Sequence, residues 1–314
     1  MSNKITVIIV EYNTPDRTAR YICDLSRVSD CQDLSFVVVD NYCERDNESL
    51  FWNSLHAYTE SSEDKTDIQT ISYIHAPSNL GFARGNNLGV KKANELYDPK
   101  YYLFSNSDIE LPDPLELSRL TEVLETHPEV AVTGPRITGP DGITQSPSVR
   151  VGIVGKHIVS NLLWPVNLFI PSIRRFNRNV IDDPATGPAY YVVGAFMLVR
   201  RDAFEAVGGF DEHTFLYAEE GILAERLRRI GLGEYYVNEV SILHEEGGST
   251  GSTRSRDQQA LKNLLRKRKR VFRSEMYYYK HYRKTPDLLI SFAWFSFTCF
   301  CLKLRLYMLL RKLI

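Results

Sequence analysis

An α/β fold built on a parallel sheet is what this chain predicts, on three observations. Short apolar runs alternate with helical patterns, each apolar run stops abruptly in polar residues, and the basic residues gather at the C-terminal end. Strands alternating with helices form parallel sheets, whose ligands bind outside the carboxyl ends of the strands.

Ile5–Val10 has the unbroken apolar character of a strand buried on both faces, and Glu11-Tyr12-Asn13 closes it. Thr14-Pro15 supplies an N-cap and a first-turn proline for a helix reaching about Val28. Leu34–Val39 predicts a second strand, ending in Asp40-Asn41, and Ile71–His75 a third. A helix over Phe82–Leu96 leads into the strand Tyr101–Phe104, which ends in Asn106-Ser107-Asp108. Residues 134–190, rich in Gly, Pro and scattered apolar residues, predict no regular element and read as a lid or binding loop. A strand over Tyr190–Val199, a helix near Asp202–Val207, a turn at Gly208–Asp211, a helix over Ala218–Ile230 and a strand over Tyr235–Leu243 complete the body.

A chain of 314 residues, 43% hydrophobic, can bury one large α/β domain with an appendage and is neither disordered nor fibrous. The net charge of −1 conceals an asymmetry: residues 254–314 hold 16 Lys+Arg against 3 Asp+Glu, leaving 22 against 36 in residues 1–253. The division into a domain of residues 1–253 and a helical tail of residues 254–314 follows that shift. Cys23, Cys31, Cys43, Cys299 and Cys301 form no Cys-x-x-Cys pair, which excludes a disulfide scaffold or structural zinc site and suits a reducing cytosol. The apolar run at the N-terminus is too short for a signal peptide, so the body is expected in the cytoplasm.

The strand tips carry the chemistry. A hard cation bridging a diphosphate needs carboxylate oxygen at the open end of a strand, and Asp108, after Asn106 and Ser107, supplies it. The same residues also suit a turn and helix cap. Asp40 is placed to accept bonds from a base or ribose, and Glu11 and Asn79 close neighbouring tips. In Asn79–Asn87, Gly81 and Gly85 let backbone approach a ligand and Arg84 adds positive charge near a helix start. The segment matches neither the P-loop nor the dinucleotide fingerprint, which disfavours a kinase or dehydrogenase. Glu219 and Glu220 begin a helix, where an ionised carboxylate is favoured and can act as a base; they cannot both face one point. His244 ends an apolar run before Glu245–Ser249, where one ring nitrogen can reach the cation that Asp108 binds.

Taken together, Thr6–Asn13, Val37–Asn41, Asn79–Asn87, Phe104–Asp108, Gly194–Arg201 with Gly208–Glu220, and His244–Ser249 resemble family 2 of the inverting glycosyltransferases, in its rhamnosyltransferase-like branch. The resemblance runs in order over roughly residues 4–250. It implies a GT-A fold, a Rossmann-like nucleotide-binding mixed sheet flanked by helices, here with a basic, apolar C-terminal extension. It implies a dTDP-, UDP- or GDP-linked sugar donor, L-rhamnose being one candidate sugar, and a Mg²⁺ or Mn²⁺ ion. Asp108 matches the last acid of the family's metal motif, and His244 a metal or diphosphate contact. Asp40 and the Asn79–Asn87 loop, with Gly81, Arg84 and Asn87, match positions lining the nucleotide. Glu219-Glu220 matches the Glu-Asp pair that deprotonates the acceptor, with Glu220 the chosen base and Glu219 second. Two departures stand out: Glu220 replaces the usual Asp, and Ile222 occupies a commonly acidic position.

In the tail, Lys262 and Arg266–Arg270 precede Tyr277-Tyr278-Tyr279 and the apolar run Leu288–Leu302, short of the ~20 residues that span a bilayer. Such a segment predicts a helix lying on an anionic membrane surface; the alternative is a helix packed on the body. No recognition motif accompanies the charge, so nucleic acid is not an expected partner. The expected activity is sugar transfer to a lipid-linked glycan for O-antigen, capsule or related polysaccharide at the inner face of the cell membrane. The rival expectations are a non-catalytic nucleotide-sugar-binding or scaffolding relative, motivated by Glu220 and Ile222, and a nucleotidyltransferase.

Overall fold

The structure, a computed structural model, describes residues 4–41, 46–61, 70–148, 153–164, 166, 185–245 and 258–310. Cys43, the Glu246–Ser249 part of the loop after His244, the domain boundary near residue 253 and much of the 134–190 segment lie outside the described residues. The first half runs β1 (Ile5–Glu11), α1 (Pro15–Val28), β2 (Leu34–Asp40), α2 (Asn47–Ser61), β3 (Ile71–His75), α3 (Gly81–Leu96), β4 (Tyr101–Ser105), β5 (Ile109–Glu110) and α4 (Leu117–Thr126). There follow β6 (Val130–Thr138), β7 (Thr144–Ser146), α5 (Val154–Leu163), β8 (Gly187–Ala189), β9 (Phe196–Arg200), α6 (Arg201–Ala206), α7 (Glu219–Arg229) and β10 (Gly233–His244). The tail is α8 (Gln258–His281) and α9 (Asp287–Leu310).

The sheet is ordered β3-β2-β1-β4-β9-β6-β10-β5, with β7 on β6 and β8 on β10. The first four neighbours are parallel, as the alternating pattern predicts. β9 corrects that prediction for the second half, because it is antiparallel to both β4 and β6, and the sheet is mixed. β9 follows the long excursion after β6, and adjacent antiparallel pairing carries none of the handed crossover constraint of a βαβ unit.

Period-two alternation divides the strands between two layers. Ile5, Val7 and Ile9 of β1 pack with Ile22 and Leu25 of α1, Phe51 of α2 and Leu120 of α4, while Ile8 faces Ala83 of α3, Phe204 of α6 and Leu223 of α7. α3 lies close against β1, since a Cβ on Gly89 would stand 2.5 Å from Ile8 Cγ2. A third apolar cluster joins α5, α8 and α9 to Ile222 of α7.

Two other expectations are corrected. The strand predicted from Tyr190 begins only at Phe196, because the Val192 amide bonds the Glu234 carboxylate (2.8 Å) instead of a neighbouring strand. The segment 134–190 is not wholly irregular: β6 extends to Thr138 through Gly134-Pro135, and β7, α5 and β8 follow. In the tail, the apolar run grows into a helix of 24 residues, and Asp287–Tyr307 is long and apolar enough to cross a membrane. Tyr278 and Tyr279, read as part of a membrane-facing stretch, are instead buried against the body.

Candidate active site

Asp108 and His244 meet because β5 is a two-residue strand pairing antiparallel with the end of β10, which sets His244 opposite Ile109. The Glu245 amide also bonds the Asp108 carbonyl at 3.0 Å. His244 Nε2 stands 3.2 Å from Asp108 Oδ1, and both residues are buried. Gln145 Oε1 lies 2.7 Å from His244 Nδ1, so the network assigns the ring proton to Nδ1 and leaves the Nε2 lone pair toward Asp108. Two unprotonated acceptors that close repel unless positive charge sits beside both, and Asp108 Oδ1 has no hydrogen-bond partner among the described residues. The donor set therefore suits a hard divalent cation. Among the described residues, no group of three or more His, Cys, Asp or Glu is placed to hold an ion. A pair of protein ligands is the usual provision where substrate phosphates and water complete the coordination.

Asn106 joins this pair, its amide nitrogen 3.4 Å from His244 Nε2. Arg17, at the start of α1, braces both strands by donating to the Ser107 carbonyl (3.2 Å) and the Glu245 carboxylate (2.7 Å). Neither Arg17 nor Gln145 was singled out from the sequence. A cation in the first turn of a helix, where the dipole disfavours it, was the available signal for Arg17. Gln145 sits in the unassigned segment and gave none.

A second cluster lies at the tips of β1 and β2, where Glu11 and Asp40 are register neighbours. Asp40 is buried and neither carboxylate oxygen finds a hydrogen-bond partner among the described residues, His75 Nδ1 approaching only to 3.5 Å. Burial pushes the Glu11 carboxyl up to about 7 against the hydrogen bond from the Thr14 amide, and the Asp40 charge adds to the rise. Asn41 fastens the adjoining loop, accepting from the Leu80 amide (2.8 Å) and donating to the Gly81 carbonyl (3.1 Å). Asn79 closes the turn by accepting from the Gly81 amide at 3.1 Å. Only glycine fits at 81: its φ is +77°, and a Cβ would stand 2.1 Å from the Phe215 carbonyl oxygen.

Arg84 and Asn87, which the resemblance assigns to the nucleotide, make their contacts on another side of α3. Gly85 and Gly89 turn toward β1, so the helical period directs 84 and 87 to the other side of α3. There Arg84 Nε donates to the Glu212 carbonyl (3.1 Å), and Asn87 clasps the Phe210 backbone through both its amide nitrogen (3.0 Å) and its oxygen (3.1 Å). Both hold the turn that leads to α7.

That turn ends in strained backbone: Tyr217 (φ 67°) and Ala218 (φ 74°) are consecutive non-glycine residues in the left-handed region, immediately before Glu219. Glu220 Oε1 accepts from the Gly194 amide at 3.3 Å, and the next residue, Ala195, gives its carbonyl to the Asn106 amide at 2.9 Å. Glu220 is thus two hydrogen bonds from Asn106 and three from His244. Burial holds the carboxyls of both Glu219 and Glu220 above the usual range, the Glu220 charge adding to the rise at Glu219. Glu219 is the more enclosed, with Oε2 unpartnered among the described residues. Ile222 is fully buried against the tail helices, so its departure from an acidic residue serves packing.

Asp211 also went unrecognised. It receives Tyr277 (3.2 Å), Tyr282, His213 (2.8 Å) and Arg226 (3.0 Å), tying α8 to the same turn. Burial alone would raise its carboxyl, but hydrogen bonds from Tyr282 and His213 and the Arg226 charge hold it down to about 2.

With this geometry in place, comparison with known proteins is informative. Residues 6–208 match the profile of "Glycosyl transferase family 2". The chain belongs to that family. N-acetylglucosaminyl-diphospho-decaprenol L-rhamnosyltransferase of Mycobacterium tuberculosis is 26% identical to this glycosyltransferase over 263 residues, covering 80% of this chain and 79% of that protein. Rhamnosyltransferase WbbL of Escherichia coli strain K12 is 29% identical over 168 residues, covering 52% of this chain and 60% of WbbL. Among solved structures, GalNAc-T7 with UDP, GalNAc and Mn²⁺ superposes with a TM-score of 0.54 at 15% identity, covering 95% of this chain and 55% of that one. The mannosyltransferase PcManGT from Pyrobaculum calidifontis, with GDP-Man and Mn²⁺, gives 0.52 at 14% identity, covering 95% and 72%. The fold is GT-A. Membership of the family also removes the nucleotidyltransferase expectation.

Proposed function

We propose that this glycosyltransferase moves a sugar, L-rhamnose being the leading candidate, with inversion from a nucleotide-diphosphate donor to a lipid-linked oligosaccharide at the inner face of the membrane, for O-antigen, capsule or related polysaccharide. The observation that carries the proposal is the Asp108–His244 pair, with a carboxylate oxygen unpartnered among the described residues, three hydrogen bonds from Glu220. The Mycobacterium tuberculosis and Escherichia coli relatives, rhamnosyltransferases in name, support the sugar, and the tuberculosis protein's name supports the lipid-linked acceptor.

In this reading Asp40 offers its bare oxygens to donor groups of the base or ribose, and Glu11, Asn79 and Gly81 shape the wall around them. Asp108 and His244 would hold Mg²⁺ or Mn²⁺, which offsets the charge developing on the leaving diphosphate. Glu220 accepts the proton of the acceptor hydroxyl as that oxygen bonds the anomeric carbon, and the carbon–oxygen bond to the diphosphate breaks with its electron pair leaving on phosphate oxygen. A single displacement inverts the carbon. Glu219, enclosed beside Glu220, keeps a second carboxyl near the base and raises the cost of ionising both. Residues 1–253 form the catalytic unit and residues 254–314 an attached helical tail. The scaffolding alternative drew on Glu220 and Ile222, and burial of Ile222 under the tail leaves it one motive.

The deciding experiment incubates the full chain with dTDP-, UDP- and GDP-sugars and a polyprenyl-diphosphate-linked acceptor, with Mg²⁺ or Mn²⁺ and then with chelator. Transfer from one donor class, lost with chelator and restored by the ion, is expected. A folded, nucleotide-binding protein that turns over no donor would establish the binding role instead.

A further inference from the structure

We propose that α5 and α9 together form a surface that lies in the interfacial layer of an anionic bilayer without crossing it. Leu288, Phe292, Phe295, Leu302, Leu306 and Leu309 follow one another along α9 at intervals of three, four or seven residues, which places them on one side of the helix. All are exposed, Leu288 at 81%, Phe295 at 59% and Leu302 at 58%. Ile290, Ala293, Phe297, Phe300 and Leu304 occupy the opposite side and are buried against Val154 and Ile158 of α5 and Phe272 and Met276 of α8. The helix is therefore apolar on two sides, and the described residues cover only one.

α5 enlarges the uncovered side. Ile153, Val159, Leu162 and Leu163 are exposed along it, and Val166 lies just beyond its end. The two helices are stapled: Lys303 Nζ donates to the carbonyl oxygens of Asn161 (3.2 Å), Leu162 (2.6 Å) and Trp164 (3.1 Å). This caps the C-terminal carbonyls of α5 and takes up a charge that would otherwise interrupt the apolar side of α9. Trp164 locks the same corner against Phe300 and Tyr307.

Charge identifies the occupant. Arg266, Lys269, Arg270 and Arg273 of α8 are exposed, and none has an acidic partner among the described residues, although Arg270 lies over the Phe215 ring at 4.7 Å. Arg268 joins the basic helix to the apolar one, its guanidinium 4.9 Å from the Phe300 ring. An apolar surface on a tail that also carries cations without acidic partners among the described residues suits an anionic membrane interface. Crossing is disfavoured because a solitary span would strip Ile290, Phe297 and Phe300 from the cluster that also buries Ile222.

This inference deepens the membrane reading of the proposed function and rests on it. Vesicle binding needs neither donor nor acceptor, so the surface and the transfer reaction are tested separately. The full chain is floated with vesicles of phosphatidylcholine alone and with added phosphatidylglycerol; flotation with the anionic vesicles, sharply reduced without them, is expected. The pair Phe295→Glu/Leu302→Glu and, independently, Leu162→Glu/Leu163→Glu should each lower vesicle affinity by about tenfold or more. All four positions are exposed, so thermal melting should stay unchanged. A C-terminal epitope should remain open to protease outside sealed vesicles. Wild-type flotation by the α5 pair would remove that helix and overturn the two-helix surface while leaving membrane association standing. A protected epitope would establish a spanning helix. Failure of the parent protein to float would sink the membrane reading itself, with transfer to a detergent-solubilised acceptor still measurable.

Discussion

At two strand tips and the start of α7, the buried carboxylates of Asp40, Asp108 and Glu219 carry oxygens with no hydrogen-bond partner among the described residues; along α9, large apolar side chains are the groups left bare. Unsatisfied buried carboxylates are costly, and exposed apolar patches are rare on soluble proteins, so each region signals an absent partner of opposite character. The crevice calls for positive charge and hydrogen-bond donors, the tail for hydrocarbon. Between them stands the turn at residues 208–218, held by Arg84 and Asn87 from the sheet side and by Tyr277 and Tyr282 from the tail.

The sharpest way to break this comparison is at the base. Glu220→Gln should lower kcat on the order of 10³-fold, within the range of lost general-base catalysis. Because burial raises the Glu220 carboxyl, the acid limb of the parent's kcat–pH profile should sit above the ordinary 4.5, and Glu220→Gln should remove that limb. If the limb instead vanishes in Glu219→Gln, the two roles are exchanged. Next, Asp108→Asn should cost on the order of 10²-fold in kcat/KM with an unchanged circular dichroism spectrum. Full activity would show that its bare oxygen is not a cation site.

How much of this was legible beforehand depended on whether one segment sufficed. Ile5–Val10, Leu34–Val39 and Tyr101–Phe104 reveal themselves because doubly covered strands are apolar throughout, and the acids at their ends follow from position alone. β9 does not reveal its direction, since an apolar strand reads the same either way. Arg84 and Asn87 stand beside two glycines in sequence, and their hold on the 210–212 turn becomes visible only when the helical period turns them away from the sheet. Tyr277-Tyr278-Tyr279 suits a lipid interface or a protein one equally, because tyrosine carries an apolar ring and a polar tip. Only Asp211, Tyr190 and His157 decide between them. The apolar run of α9 read as too short because Lys303 counts as a charge in sequence but is spent on α5 carbonyls in space.

A smaller effect sharpens the bridge between the regions. Tyr282→Phe removes one hydrogen bond to the buried, ionised Asp211 and should cost about 2 kcal/mol in chemical denaturation. Any accompanying fall in kcat would mark the tail as a brace for the base. The smallest effect is expected at Gln145→Leu, which frees the His244 ring to turn: apparent affinity for the divalent ion should weaken about tenfold, with kcat at saturating ion nearly preserved. An unaltered ion titration would show that the ring is oriented by something else.

The two-residue pairing of β5 with β10 also bears on the order in which the protein becomes functional. Asp40 and the loop around Gly81 belong to the half of the chain that leaves the ribosome first, whereas His244 reaches Asp108 only when the last strand of the sheet has docked. Affinity for a divalent ion is then a gauge of completed assembly. An ion that binds only the finished sheet stabilises it by mass action, so cellular supply of the metal would govern the lifetime of the molecule as well as its turnover.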